Sequence, residues 1–215
     1  MAENLFEAQY DITKKTKLKK FYETNKIWIF SSILILIIFL GSFYVYLIKK
    51  ENEKILLSEN YVQAKIYLAD GKKSEAVNIL KDVIFSNDPT YSTLCLFLII
   101  NENLITDYNE LLVLFNHVLE NNKFEKEIKN LLTYKKSVFI SNFVTESELL
   151  EGIKPLLNTD TLWKPHALLL LGDYFLSKNE YSKAKEFYTQ ILSINNLQQD
   201  LYNQARSQLF TIAHD

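Results

Sequence analysis

From Ile27 to Ile48 the chain reads IWIFSSILILIIFLGSFYVYLI, 22 residues without a charge. A helix of that length covers about 33 Å at 1.5 Å per residue, against a hydrocarbon core of roughly 30 Å. A helix buried in a soluble core would carry a polar stripe. Here the interruptions are small, Ser31, Ser32, Gly41 and Ser42, and the segment is apolar on every face. Trp28 lies near one end and Tyr44 and Tyr46 near the other, where rings with a polar edge prefer the membrane interface. Lys26 closes one side, and Lys49 and Lys50 the other. The run predicts a single transmembrane helix over 27–48.

A cleavable signal has a shorter apolar core, about 7–15 residues, and a small-x-small exit. This run is longer and ends in Tyr-Leu-Ile-Lys-Lys, so a permanent anchor is expected. Six lysines precede it (Lys14, Lys15, Lys17, Lys19, Lys20, Lys26). Three follow it (Lys49, Lys50, Lys54), diluted by Glu51 and Glu53. The excess predicts a cytoplasmic N-terminus. The layout is then a cytoplasmic tail over 1–26, the span, and a domain over 50–215 on the far side.

That domain has the size of one folding unit. It carries 17 basic and 22 acidic side chains, a net charge of −5. No nucleic-acid partner is expected, since binding one needs a basic face. The Lys14–Lys20 cluster reads as a topology signal with attraction to anionic lipid, so the bilayer is an expected partner. Cys95 is the single cysteine; it reads as a buried thiol, and stability must come from packing. One arginine, Arg206, among 24 basic residues points to codon bias.

With 4 Gly and 3 Pro in the chain, and apolar residues at three- and four-residue spacing, the domain is predicted to be all-α. Helices are expected near 51–69, 73–86, 90–102, 107–120, 124–142, 146–157, 163–178, 181–194 and 198–213. The turns between them carry Gly, Asn and Asp. Pro165–Leu192 has the phase of a tetratricopeptide repeat. Leu168, Leu171, Gly172, Phe175, Tyr181, Ala184, Tyr188 and Ile191 fall on that repeat's packing positions. Gly172 and Ala184 are small where two antiparallel helices approach, and Phe175, Tyr181 and Tyr188 are expected to fill the space around that contact. A weaker copy at 57–84 places Ala64, Tyr67, Gly71, Ala76, Leu80 and Val83 in phase, 108 residues earlier. Residues 92–121 have room for a degenerate unit, with Leu98, Leu111, Phe115 and Val118 in place and Glu102 breaking the match. The expected fold is a tetratricopeptide-like α-helical hairpin solenoid behind one transmembrane helix.

No chemistry is legible. His117, His166 and His214 lie far apart, none with a carboxylate, Cys or second His at ligand spacing, so no metal is expected. Four glycines build no phosphate loop, and no nucleophile–histidine pairing is visible. Glu146 and Glu148 suit a helix start. The expectation is a protein that is not an enzyme and holds no cofactor. What remains is a surface. In stacked hairpins the first helix of each unit lines the concave side, which nominates Tyr61, Lys65 and Leu68 in the first unit. In the last unit it nominates His166, Leu169, Asp173 and Leu176. Their mixture of apolar and charged groups suits a peptide or extended chain.

The layout resembles the bacterial family of ancillary Sec translocon subunits with a tetratricopeptide-like domain. NLFEAQYDITKKTKLKKFYETNKIWI is similar to that family's acidic-then-basic lead-in to the anchor. TLWKPHALLLLGDYFLSKNEYSKAKEFYTQIL is similar to its late hairpin, through Trp163, Ala167, Leu170, Leu171 and Gly172. The first hairpin resembles the post-anchor repeat through Ala64, Gly71 and Ala76; residues 90–157 depart most. The resemblance implies a single-pass protein of the bacterial inner membrane with its repeat domain in the periplasm. It implies a non-enzymatic interaction scaffold whose partners are Sec channel subunits, a membrane-anchored periplasmic chaperone and emerging polypeptides. The same anchored solenoid would also serve as a scaffold for cell division or pilus biogenesis, or as a sequestering regulator of envelope signalling.

Overall fold

The computed structural model describes the backbone of residues 2–214, and side chains from Lys17 onward except Leu18. The described residues form nine α-helices and no strand. They are α1 (Ala2–Ala69), α2 (Lys73–Phe85), α3 (Pro89–Asn101), α4 (Tyr108–Asn121), α5 (Lys126–Ile140), α6 (Glu146–Leu157), α7 (Lys164–Ser177), α8 (Tyr181–Leu192) and α9 (Gln199–His214). From α2 onward the observed bounds fall within a few residues of those expected. The N-terminal part differs, because the span and the following helix are one element reaching back to Ala2. The reason is local. No Gly or Pro occurs before Gly41, and Lys49–Lys54, across the expected break, consists of good helix formers apart from Asn52.

The chain divides into two compact units, Met1–Leu56 and Leu57–Asp215. In the first, the large apolar side chains of the span lie mostly exposed: Trp28 is 74% exposed and Phe39 64%. The most apolar stretch of this helix has a mean hydropathy of 2.3, and none of it is buried. It is the one helix among the described residues long and apolar enough to cross a membrane.

In the second unit, among the packed pairs formed by α2–α9, each helix touches its neighbour or next neighbour in sequence. The core accordingly falls into three successive clusters. The first joins Ala64 of α1 to Ala76, Leu80, Ile84, Cys95, Leu96, Phe115 and Leu132. The second gathers Ile140, Leu149, Ile153, Leu156, Ala167 and Leu171. The third gathers Leu168, Phe175, Ala184, Tyr188, Ile191 and Ala205. Phe139 packs against the first two, and Tyr174 and Phe187 against the last two. Each large aliphatic or aromatic side chain buried in these clusters contributes about 1.5–3 kcal/mol.

Helix ends are fixed by specific bonds. Asp88 Oδ1 accepts from the Thr90 and Tyr91 amides at 3.0 and 2.9 Å, with Pro89 opening α3. Asp107 Oδ1 accepts from Glu110 N at 2.7 Å, and Thr145 with Glu148 forms a capping box at α6. The Glu148 carboxyl lies below its ordinary pKa because it accepts from the Thr145 backbone and side chain. Three helices, α1, α3 and α7, end in the same way. Gly71, Asn103 and Asn179 take positive φ (76°, 48°, 61°). The next amide reaches back five residues, as in Lys72 N to Tyr67 O (2.8 Å), Leu104 N to Ile99 O (3.0 Å) and Glu180 N to Phe175 O (2.9 Å). These are Schellman turns.

Candidate interaction surface

The last hairpin is built around its smallest residue. Gly172 on α7 faces Tyr188 on α8, and a Cβ there would stand 2.5 Å from Tyr188 Cε1. Ala184 is fully buried beside them. Tyr188 is itself fully buried, and its Oη donates to Asp173 Oδ1 at 2.6 Å. Burial pushes the Tyr188 phenol far up, and the Asp173 carboxylate adds to that. Burial also raises the Asp173 carboxyl, while the Tyr188 bond opposes the rise. Tyr181, expected in this contact, is 43% exposed. It opens α8, and its hydroxyl lies 3.3 Å from Asn179 Oδ1. Phe187 supplies the ring instead, stacking on Phe175 at 5.5 Å.

Of the nominated surface residues on the first hairpin, Tyr61 and Leu68 are half-buried and pack against the first core cluster. Lys65 is exposed, its Nζ 5.9 Å from the centre of the Tyr61 ring. On α7, Leu169 and Leu176 are half-buried against the third cluster, and the carboxylate of Asp173 is engaged by Tyr188. His166 is half-buried between Trp163 (5.2 Å) and Tyr134 of α5 (5.6 Å), with Tyr134 and Trp163 stacked at 5.7 Å. Its Nδ1 is buried with no hydrogen-bond partner, and burial lowers its pKa. Burial raises the Tyr134 phenol, with a contribution from the charge of Asp173.

His166 and Asp173 are thus brought into one neighbourhood with Trp163 and Tyr134. Among the described residues, no hydrogen bond, ion pair or ring contact joins them to Tyr61, Lys65 and Leu68. Sequence reasoning did not nominate Tyr134. It lies outside both matched hairpins, and only the packing of α5 on α7 places it there.

Elsewhere the polar groups brace the helices. Lys183 bonds Glu146 of α6 at 2.9 Å and Glu180 at 2.8 Å, and these bonds raise its pKa. Lys81 of α2 pairs with Glu110 of α4. His117 Nε2 meets Asn87 Oδ1 at 2.8 Å, and its ring packs on Phe85 at 4.6 Å. Cys95 is fully buried, and burial pushes its thiol up to about 12, so it is protonated at neutral pH. Among the described residues, no three His, Cys, Asp or Glu side chains gather as they would around an ion. A cleft of about 410 Å³ lies between the α6–α7 and α8–α9 connections, lined by Glu127, Asp160, Leu162, Asn196 and Gln198 among others. No protein-family model matches the chain, and no curated protein matches it.

Proposed function

We propose that the chain is a membrane-anchored, non-enzymatic protein-interaction scaffold. In this reading α1 holds a tetratricopeptide-like hairpin array on the far side of the membrane from a cytoplasmic N-terminus. The observation that carries the repeat reading is the correspondence of the first and last hairpins at an offset of 108 residues. Ala64 and Gly172 are both buried, as are Ala76 and Ala184, Leu80 and Tyr188, and Val83 and Ile191. Gly71 and Asn179, also 108 apart, both take the left-handed conformation that closes a Schellman turn. Matching packing and matching turn geometry are what two copies of one supersecondary unit require. Contacts confined to near neighbours in sequence are what an array of such units produces.

The specific role we propose is an accessory of the Sec translocon, coupling it to a periplasmic chaperone of the bacterial inner membrane. It rests on the resemblance of the N-terminal lead-in and the late hairpin to that family. Physically, an anchor confines the interaction surface to the plane of the channel, raising its effective concentration there without any added contact. The test is photo-crosslinking in native membranes from the exposed position Lys65, followed by mass spectrometry. Channel subunits and a membrane-anchored chaperone among the neighbours are expected. Their absence would contradict the translocon role, and cell-division, pilus or signalling components in their place would assign the scaffold elsewhere.

A further inference from the structure

The two flanks of the apolar span differ in more than number of charges. Between Lys14 and Lys26 there are six lysines and a single acidic residue, Glu23, whereas Lys49, Lys50 and Lys54 alternate with Glu51 and Glu53. All of these positions lie on α1, so their spacing along the axis is fixed. Lys26 adjoins Ile27, Lys20 lies about 10 Å before it and Lys17 about 15 Å. Lysine stems reach several ångströms further, so these charges stand within or near one Debye length of a headgroup layer, about 8 Å at physiological salt.

Their arrangement around the axis is also ordered. At about 100° per residue, Lys17, Lys20, Lys19 and Lys26 sweep one half of the helix circumference with Glu23 among them, and Phe21 and Tyr22 fall in the other half, which also holds the backbone positions of Lys14 and Lys15. The four lysines are exposed, and Phe21 and Tyr22 are 63% and 47% exposed. A lysine-rich helical flank that also carries two aromatic rings, on the axis of an apolar span, matches the layering of an anionic headgroup zone. An acidic protein segment would match the charges and leave the two rings unexplained.

We propose that Lys17, Lys19, Lys20 and Lys26, with Phe21 and Tyr22, form a binding collar for anionic phospholipid headgroups on the leaflet entered by the N-terminal end of the span. This rests on α1 crossing the membrane. Each lysine held at such a surface strengthens binding about fivefold. The collar therefore enriches anionic lipid around this end of the helix, and the balanced flank after Ile48 does not.

The chain holds two tryptophans, so Trp163→Phe leaves Trp28 as the single reporter, at the collar's edge of the span. The full-length W163F protein is reconstituted in symmetric vesicles of phosphatidylcholine and phosphatidylglycerol at about 4:1, with brominated acyl chains on one lipid or the other. Brominated phosphatidylglycerol is expected to quench Trp28 several-fold beyond its mole fraction at low salt. The excess is expected to vanish at high salt and in the variant carrying K17Q, K19Q, K20Q and K26Q. Quenching by both lipids in proportion to mole fraction would show the span inserted and overturn the collar, as it would if the lysines serve an acidic protein instead. An excess untouched by salt and by the four substitutions overturns it too. Quenching by neither lipid would overturn the anchor itself, and the collar with it.

Discussion

At the scale of single residues, Gly172 is the one glycine at which an added Cβ would meet atoms closer than 3.0 Å. A methyl group at position 172 would stand 2.5–2.8 Å from three atoms of the Tyr188 ring. That ring cannot swing aside, being fully buried and tied to Asp173 by its hydroxyl. Gly172→Ala is therefore expected to destabilise the domain by about 1–3 kcal/mol despite its gain in helix propensity, measured by denaturant unfolding. An unchanged midpoint would contradict the close approach. His166 supplies a prediction of pH dependence. Its folded pKa lies below the ordinary 6.5 through burial, with Lys135 nearby adding to the shift. Between those two values the unfolded chain binds more protons than the folded one, so stability is full above about pH 6.5 and falls as the pH drops through the folded pKa. Thermal unfolding between about pH 7.5 and pH 5 should show a larger loss for the wild type than for His166→Gln. Equal slopes would contradict it.

At the scale of elements, the turns matter most, because this chain uses asparagine where glycine is the usual solution. Asn87, Asn103, Asn179 and Asn196 all take positive φ, and Gly71 alone among the glycines does so. Asparagine tolerates that region at some cost and glycine at almost none. Asn179→Gly is expected to be neutral or stabilising by up to about 1 kcal/mol, and Asn179→Val destabilising by about 1–2 kcal/mol, both read from unfolding midpoints. Asp88→Ala, which removes two bonds to the first turn of α3, should cost about 1 kcal/mol.

The helices from α2 to α9 were legible in the sequence because apolar spacing, Asp caps and Asn turns all agreed. The continuity of α1 was not, since an apolar run and an amphipathic segment have different periodicities even on one unbroken helix. Tyr181 is expected in the core through the proposed repeat alignment, yet it is 43% exposed. As the first residue of α8 it has no preceding turn of that helix to pack beneath it, and Phe187 fills the space. Of the nominated surface, Lys65 and Asp173 are exposed, whereas Leu169 and Leu176 are partly taken up by packing. Contacts between successive hairpins decide that difference, and repeat phase carries no information about them.

At the scale of the whole molecule, the two units differ in how much of their apolar surface they bury. The apolar stretch of α1 is wholly unburied, whereas the unit from Leu57 encloses three successive clusters of its own. The full chain is therefore expected to need detergent or lipid for extraction. A fragment starting at Glu51 should be soluble, helical by circular dichroism and cooperative in unfolding. A fragment that aggregates as the full chain does would contradict this division.

The proposed topology holds the helical domain on the opposite side of the membrane from the lysine-rich end. Cys95 makes this directly measurable, because it is fully buried with its thiol raised to about 12 and should not react with a maleimide in the folded protein. Cysteines are introduced singly at the exposed positions Lys17 and Asn203, and intact cells with the outer barrier opened are treated with a membrane-impermeant maleimide. Labelling of N203C from outside, and of K17C only after the inner membrane is permeabilised, is expected. Labelling of K17C from outside with N203C protected would contradict it.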